Sequence, residues 1–156
     1  MTDAQPGVLL DEHAGLVHAP FDRVRDAVLT IRTGTLAGTD VPLILSGQAG
    51  QTVVITGGPA RFTTTVSGAP LTLEVDPAAG WVQAKGQWWW CGRLEVHEDP
   101  AGARLVRRTY NLAGGLSGRL VPLTVGRGHD KRAVDGLHAN LAVLGERLSC
   151  RTEFLR

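Results

Sequence analysis

The sequence predicts an α+β fold in which a meander of short antiparallel strands carries its helices on one side. Three observations point there. Phe21, Val24, Ala27, Val28 and Ile31 recur at helical spacing near the start of the chain. Between residues 41 and 112, strand-like runs are punctuated by Gly- or Pro-bearing turns about every ten residues. Val134, Leu137, Leu141, Leu144 and Leu148 then follow intervals of three, four, three and four residues, which describes a helix with one buried stripe.

In chain order, residues 1–7 are polar, carry Pro6 and Gly7, and read as a loose end. Residues 8–19 are strand-like and run into His18-Ala19-Pro20, where the proline favours an extended residue before it and tolerates a helix after it. The first helix is expected at 21–31, with Asp22 suited to the dipole of its first turn. Residues 33–39 carry Gly34 and Gly38 and read as a loop or a short helical turn. Short strands are expected at 41–46, 52–56, 61–66, 71–75 and 81–85, and longer ones at 87–97 and 104–112. The turns at 47–50, 57–59, 67–70 and 76–80 are short enough to force antiparallel neighbours. Within the meander Phe62, Thr64 and Val66 share a face, as do Leu71, Leu73 and Val75, whereas Glu74 faces the other way. Leu116, Leu120, Leu123 and Arg127 extend the C-terminal stripe backwards, but Pro122, Gly126 and Gly128 predict a kink or a break there.

A chain of 156 residues reads as a single domain, 1–156, able to bury a core without staples. A formal net charge of +1 with dispersed arginines gives no footprint for nucleic acid or acidic membranes. Cys91 and Cys150 are too few for a disulfide framework or a zinc site. His13, His18, His97, His129 and His138 are scattered without metal-ligand spacing, so no metal and no cofactor is expected. The absence of a leader and of a membrane-spanning apolar run points to a cytoplasmic protein with no membrane insertion.

The richest stretch is the hairpin from Trp81 to Leu112. Alternation through Gln87–His97 puts Trp88, Trp90, Leu94 and Val96 on an inward face, and Trp89, Cys91, Arg93, Glu95 and His97 on the other. Trp88 and Trp90 then either wall a pocket for a ring compound or fill the core. Trp89 is expected on the outer face, exposed or at a homodimer contact, and Arg93, Glu95 and His97 as solvated charge pairs. On the return strand, inward Val106 brings Arg108 and Tyr110 with it as polar handles for a carbonyl or carboxylate. The alternative has Arg108 reaching out to solvent and Tyr110 packing on the last helix. His138, beside the buried stripe, is either a general base or an ordinary helix–sheet contact.

The segments LVHAPFDRVRDAV, WWWCGRLEVHEDPAGARLVRRTYNLAGGL and ANLAVLGERL resemble the entry strand and helix, the paired long strands and the final helix of the SRPBCC superfamily (START-like or Bet v 1-like, with the polyketide cyclases and dehydrases). The resemblance implies a helix-grip fold, in which a curved antiparallel sheet of about six to seven strands wraps around a long C-terminal helix and leaves an apolar cavity. It implies no single function, since the superfamily hosts carriers, lipid-binding proteins and enzymes. The expectation is binding of a hydrophobic, aromatic or polyketide-like small molecule, with Trp88, Trp90, Phe62, Thr64, Leu73, Val106, Leu137 and Leu141 lining the cavity. Two alternatives stand beside it. One is a cyclase or aromatase using Arg108, Tyr110 and His138 for proton transfer in the same cavity. The other is an interaction protein with its tryptophans at an interface.

Overall fold

A computed structural model describes residues 5–48 and 51–156. β1 (Val8–Val17) leads into α1 (Phe21–Leu29), β2 (Gly34–Leu36) and 3₁₀ turns at Gly38–Asp40 and Leu43–Gln48. β3 (Val53–Gly57), β4 (Arg61–Val66), β5 (Ala69–Asp76), β6 (Trp81–Gly86), β7 (Trp90–Asp99) and β8 (Gly102–Asn111) make the meander. α2 (Gly115–Leu120) and a 3₁₀ turn at Val121–Leu123 precede α3 (His129–Leu148), which is followed by β9 (Thr152–Leu155).

The strands form a large open antiparallel sheet of nine in the order β2-β3-β4-β5-β6-β7-β8-β1-β9, where six to seven were expected. Chain-adjacent strands pair along the meander because two- to four-residue turns leave no room for a crossover. β1 returns to pair with β8, with Ala14 opposite Val106 and Val17 opposite Ala103. α3 lies along β1, β8 and β9, and α1 lies against β6, β7, β8 and α3. Val17, Leu73, Val82, Leu94, Val96 and Leu105 of the sheet meet Val24 and Val28 of α1 and Leu137, Leu141 and Leu144 of α3 in one core. Close approach of α3 to β1 depends on Gly15, where an added Cβ would stand 2.6 Å from Leu141 Cδ1. Among the described residues, no helix is long and apolar enough to cross a membrane.

The chain departs from its sequence reading in two places. Residues 41–46 form no strand. Val41, Leu43, Ile44 and Leu45 are all buried in and around the 3₁₀ turn at Leu43–Gln48, and Asn140 of α3 donates from Nδ2 to Leu43 O at 3.0 Å. A short apolar run buried on all sides carries no period, and Pro42 removes a donor that a strand would need. The two added strands, β2 and β9, are only three and four residues long, too short to show alternation. The break expected around Pro122, Gly126 and Gly128 is present: the helical stripe stops after Leu123, and Gly128 at φ 81° starts α3 afresh. The loose end expected at 1–7 and the turn at 47–50 fall partly on residues 1–4 and 49–50, outside the described residues.

Candidate functional site

The site begins at the β6–β7 hairpin. Gly86 pairs with Trp90, so Gln87, Trp88 and Trp89 form a three-residue loop that Gln87 enters with φ 57°. The strand therefore starts at Trp90, not at Gln87, and alternation does not reach the first two tryptophans. Trp88 sits at the tip and is 56% exposed, whereas Trp89 turns in and is 2% exposed. Both expectations for these residues are thus reversed. The Trp89 carbonyl accepts the Leu112 N–H at 2.6 Å, which ties the loop to the end of β8. Trp90 does occupy the expected face. Its indole lies back over Gly92, where an added Cβ would be 2.7 Å from Cζ2.

β8 carries the second correction. Leu94 pairs with Arg107 and Val96 with Leu105, so Leu105, Arg107 and Thr109 share the helix-facing side. Val106, Arg108 and Tyr110 lie on the outer face. Leu105 and Val106 are adjacent aliphatics, and either could have set the parity; the register with Leu94 and Val96 selects Leu105. The inward guanidinium is therefore that of Arg107, and Arg108 instead pairs with Glu95 and, at 2.7 Å, with Glu12.

Arg107 faces a cavity of about 410 Å³ between the tips of β4–β7 and the start of α3. Trp89, Trp90, Leu71 and Pro70 make its apolar wall, Thr109 and Arg107 lie on its sheet side, and His129, Arg132 and Ala133 come from α3. Gly136 gives the guanidinium its room, since a Cβ there would stand 2.9 Å from Arg107 Cζ. Arg107 Nη1 donates to Asn140 Oδ1 at 3.1 Å, but its Nε is buried without a partner among the described residues. Burial works against the charge on Arg107 and holds its pKa below the ordinary value, while Asp11 acts in the opposite sense. The Trp89 indole nitrogen is a second buried donor at this end of the sheet without a partner among the described residues.

A histidine–carboxylate pair adjoins the guanidinium. Asp11 of β1 sits opposite Thr109, and its Oδ2 lies 2.5 Å from Nδ1 of His129, the first residue of α3. The Asp11 side chain is only 3% exposed. A carboxylate only accepts, so Nδ1–H of His129 is the donor in this contact and Nε2 is the ring nitrogen that Asp11 leaves free. Two residues along β1, His13 lies 2.9 Å from Asp130 at an exposed position. His138 is exposed and stacks on Phe154 of β9 at 4.5 Å, and it does not line the cavity. Phe62, Leu73, Leu137 and Leu141 are packed in the core instead of facing the cavity, and Thr64 donates its hydroxyl to Val54 O at 2.8 Å.

On the outer face of the hairpin Arg93 and Glu95 are buried, not solvated, whereas His97 is exposed. Arg93 is 3% exposed, donates from Nε to Gln83 Oε1 at 2.8 Å, and lies 4.2 Å over Trp81 and 5.6 Å from the Tyr110 ring. Lys85 pairs with Glu74 at 2.7 Å. Burial works to raise the Glu74 carboxyl, but hydrogen bonds from Lys85 and Gln83 outweigh it and hold the group below its ordinary value. Burial also pushes the Cys91 thiol up to about 12, so it is inert as a nucleophile. Among the described residues, no group of three or more metal-ligating side chains converges.

Asp11, His129, Arg107 and Thr109 were missed by the sequence reading. The available signals were the alternative parity of β8, and a glycine, Gly136, within the buried stripe of α3. Nothing in the sequence pairs Asp11 with His129, 118 residues later.

No family model matches the chain, and no curated protein matches it. Among solved structures, the chain is similar to TTHA0849 from Thermus thermophilus, with 14% identity over 89% of this chain and 97% of that one, at a TM-score of 0.43.

Proposed function

We propose that this chain binds a small, largely apolar ring compound in the cavity between the sheet and α3, with a carbonyl or carboxylate oxygen turned toward Arg107. One observation carries the reading: the Arg107 guanidinium, with one donor bonded to Asn140 among the described residues, lines a cavity walled by Trp89 and Trp90. Of the five N–H donors of a guanidinium, one is bonded to Asn140 Oδ1 among the described residues, which leaves donors for an oxygen on a ligand. A volume of about 410 Å³ lies in the range of small-molecule sites, and flat tryptophan surfaces favour a planar partner. The helix-grip arrangement and the SRPBCC resemblance belong to this reading, as a fold whose members use the space between sheet and last helix.

Intrinsic tryptophan fluorescence, titrated with aromatic ketones, aromatic carboxylates, fatty acids and sterols, tests it. Saturable quenching by a ring compound is expected, weakened about tenfold or more in Arg107→Met, the loss of one hydrogen bond to a charged group. Trp88→Phe should leave the affinity unchanged. A flat response across the panel would contradict the reading.

A further inference from the structure

We propose that His129 is a general base in this cavity, so that the site catalyses proton transfer at the carbon beside a ketone group held by Arg107. The inference rests on the binding reading above and adds a reaction to it. A base needs a free basic nitrogen, a fixed ring and a nearby site for the charge that develops. Asp11, buried on β1, takes Nδ1–H of His129 at 2.5 Å and so fixes the ring with Nε2 available. His129 and Arg107 line the same cavity from α3 and β8. Arg107 is close enough to Asp11 to feel its charge, which keeps base, orienting carboxylate and guanidinium in one cluster. Neither of the other histidines near α3 combines these features, since His13 is paired with exposed Asp130 and His138 stacks on Phe154.

The substrate class is an enolisable aromatic ketone, its ring against Trp89 and Trp90. The ketone oxygen accepts from Arg107, and Nε2 of His129 removes a proton from the adjacent carbon. The C–H electron pair becomes a C=C bond while the carbonyl π pair moves onto oxygen, giving an enolate opposite the guanidinium. The imidazolium swaps its proton with solvent and returns one to the same carbon, or passes the abstracted proton to a conjugated carbon. The cycle consumes nothing: it exchanges or relocates one hydrogen, with no oxidant, reductant or second substrate. Asp11 is a positioning residue in this scheme.

The test uses 2-tetralone in heavy water, following loss of its benzylic α-proton signal by proton NMR and its binding by tryptophan quenching in the same samples. Saturable exchange above buffer is expected, reduced about 100-fold or more in His129→Gln at unchanged binding, the usual contribution of a general base. Asp11→Asn should lower kcat while leaving KM in place, which a merely structural role would not do. Arg107→Met should raise KM as well as lower kcat. Binding without exchange, or exchange equal in His129→Gln and the parent, would overturn the base and leave the binding reading intact. No saturable quenching by 2-tetralone, together with no exchange, would overturn both.

Discussion

Two arginines on neighbouring strands, Arg93 of β7 and Arg107 of β8, are both drawn into the protein, and they are treated differently. On the outer face Arg93 is enclosed by its own sheet: Gln83 accepts from its Nε and its plane lies over Trp81. On the helix-facing side Arg107 donates to Asn140, and its buried Nε has no acceptor among the described residues. A cation whose valences are met by the fold is a structural part of it. One with donors left over beside a cavity is open to an acceptor that a ligand brings. The difference separates a residue that holds the sheet together from one held ready for a partner.

The largest effects should come from exchanging these roles. Arg93→Ala strips Gln83 of its donor and leaves space beneath Trp81, and should cost about 3 kcal/mol by urea unfolding. Arg107→Met also strips Asn140 Oδ1 of its donor, but it removes a desolvated cation and fills its space with an apolar chain of similar length, and should cost no more than about 2 kcal/mol. If Arg107→Met proved the more destabilising of the two, the distinction would fail. Gly136→Ala sharpens the same contrast. Its Cβ would stand 2.9 Å from Arg107 Cζ, so the flexible guanidinium must shift. Affinity for the quenching ligand should fall about tenfold, while stability stays the same or rises by up to about 1 kcal/mol, since alanine outranks glycine in a helix. An unchanged affinity would mean that the position of Arg107 does not matter.

The smallest effect concerns Glu74, on the outer face beside Lys85. Its carboxyl lies below its ordinary value of 4.5 in the folded chain, so its ionisation stabilises the fold above about that pH. The stabilisation is lost as pH falls through the folded value. Glu74→Gln should therefore be less stable than the parent at pH 7, by no more than about 1 kcal/mol for so exposed a pair. The gap should close in unfolding curves taken at the acid end. A gap that widened toward low pH would reverse the sign and refute the assignment.

What the sequence conveyed of all this follows the physics of its patterns. The amphipathic helix at Phe21, the stripe of α3 and the meander were legible because each buries one face and exposes the other, and that periodicity survives in the residue order. The run at Val41–Leu45 was not, because all sides of it are buried. Strand parity was recoverable in β7, where Leu94 and Val96 stand alone, and ambiguous in β8, where Leu105 and Val106 adjoin. That single ambiguity moved the inward arginine from 107 to 108. The triple tryptophan misled for another reason. A left-handed residue at Gln87 makes a tight loop of what reads as strand, and only Trp90 keeps the face that alternation assigns. The Asp11–His129 contact joins β1 to the start of α3, and no local rule foretells a pair so far apart in the chain.

The most direct test of a ligand site at this end of the sheet is to follow the indole N–H resonances of the four tryptophans in isotope-labelled protein during a titration with 2-tetralone. The signals of Trp89 and Trp90 should move together and saturate, while those of Trp81, under Arg93, and of Trp88, at the loop tip, stay in place. Movement of Trp81 or Trp88 with Trp89 and Trp90 unaffected would put the ligand elsewhere and contradict the account.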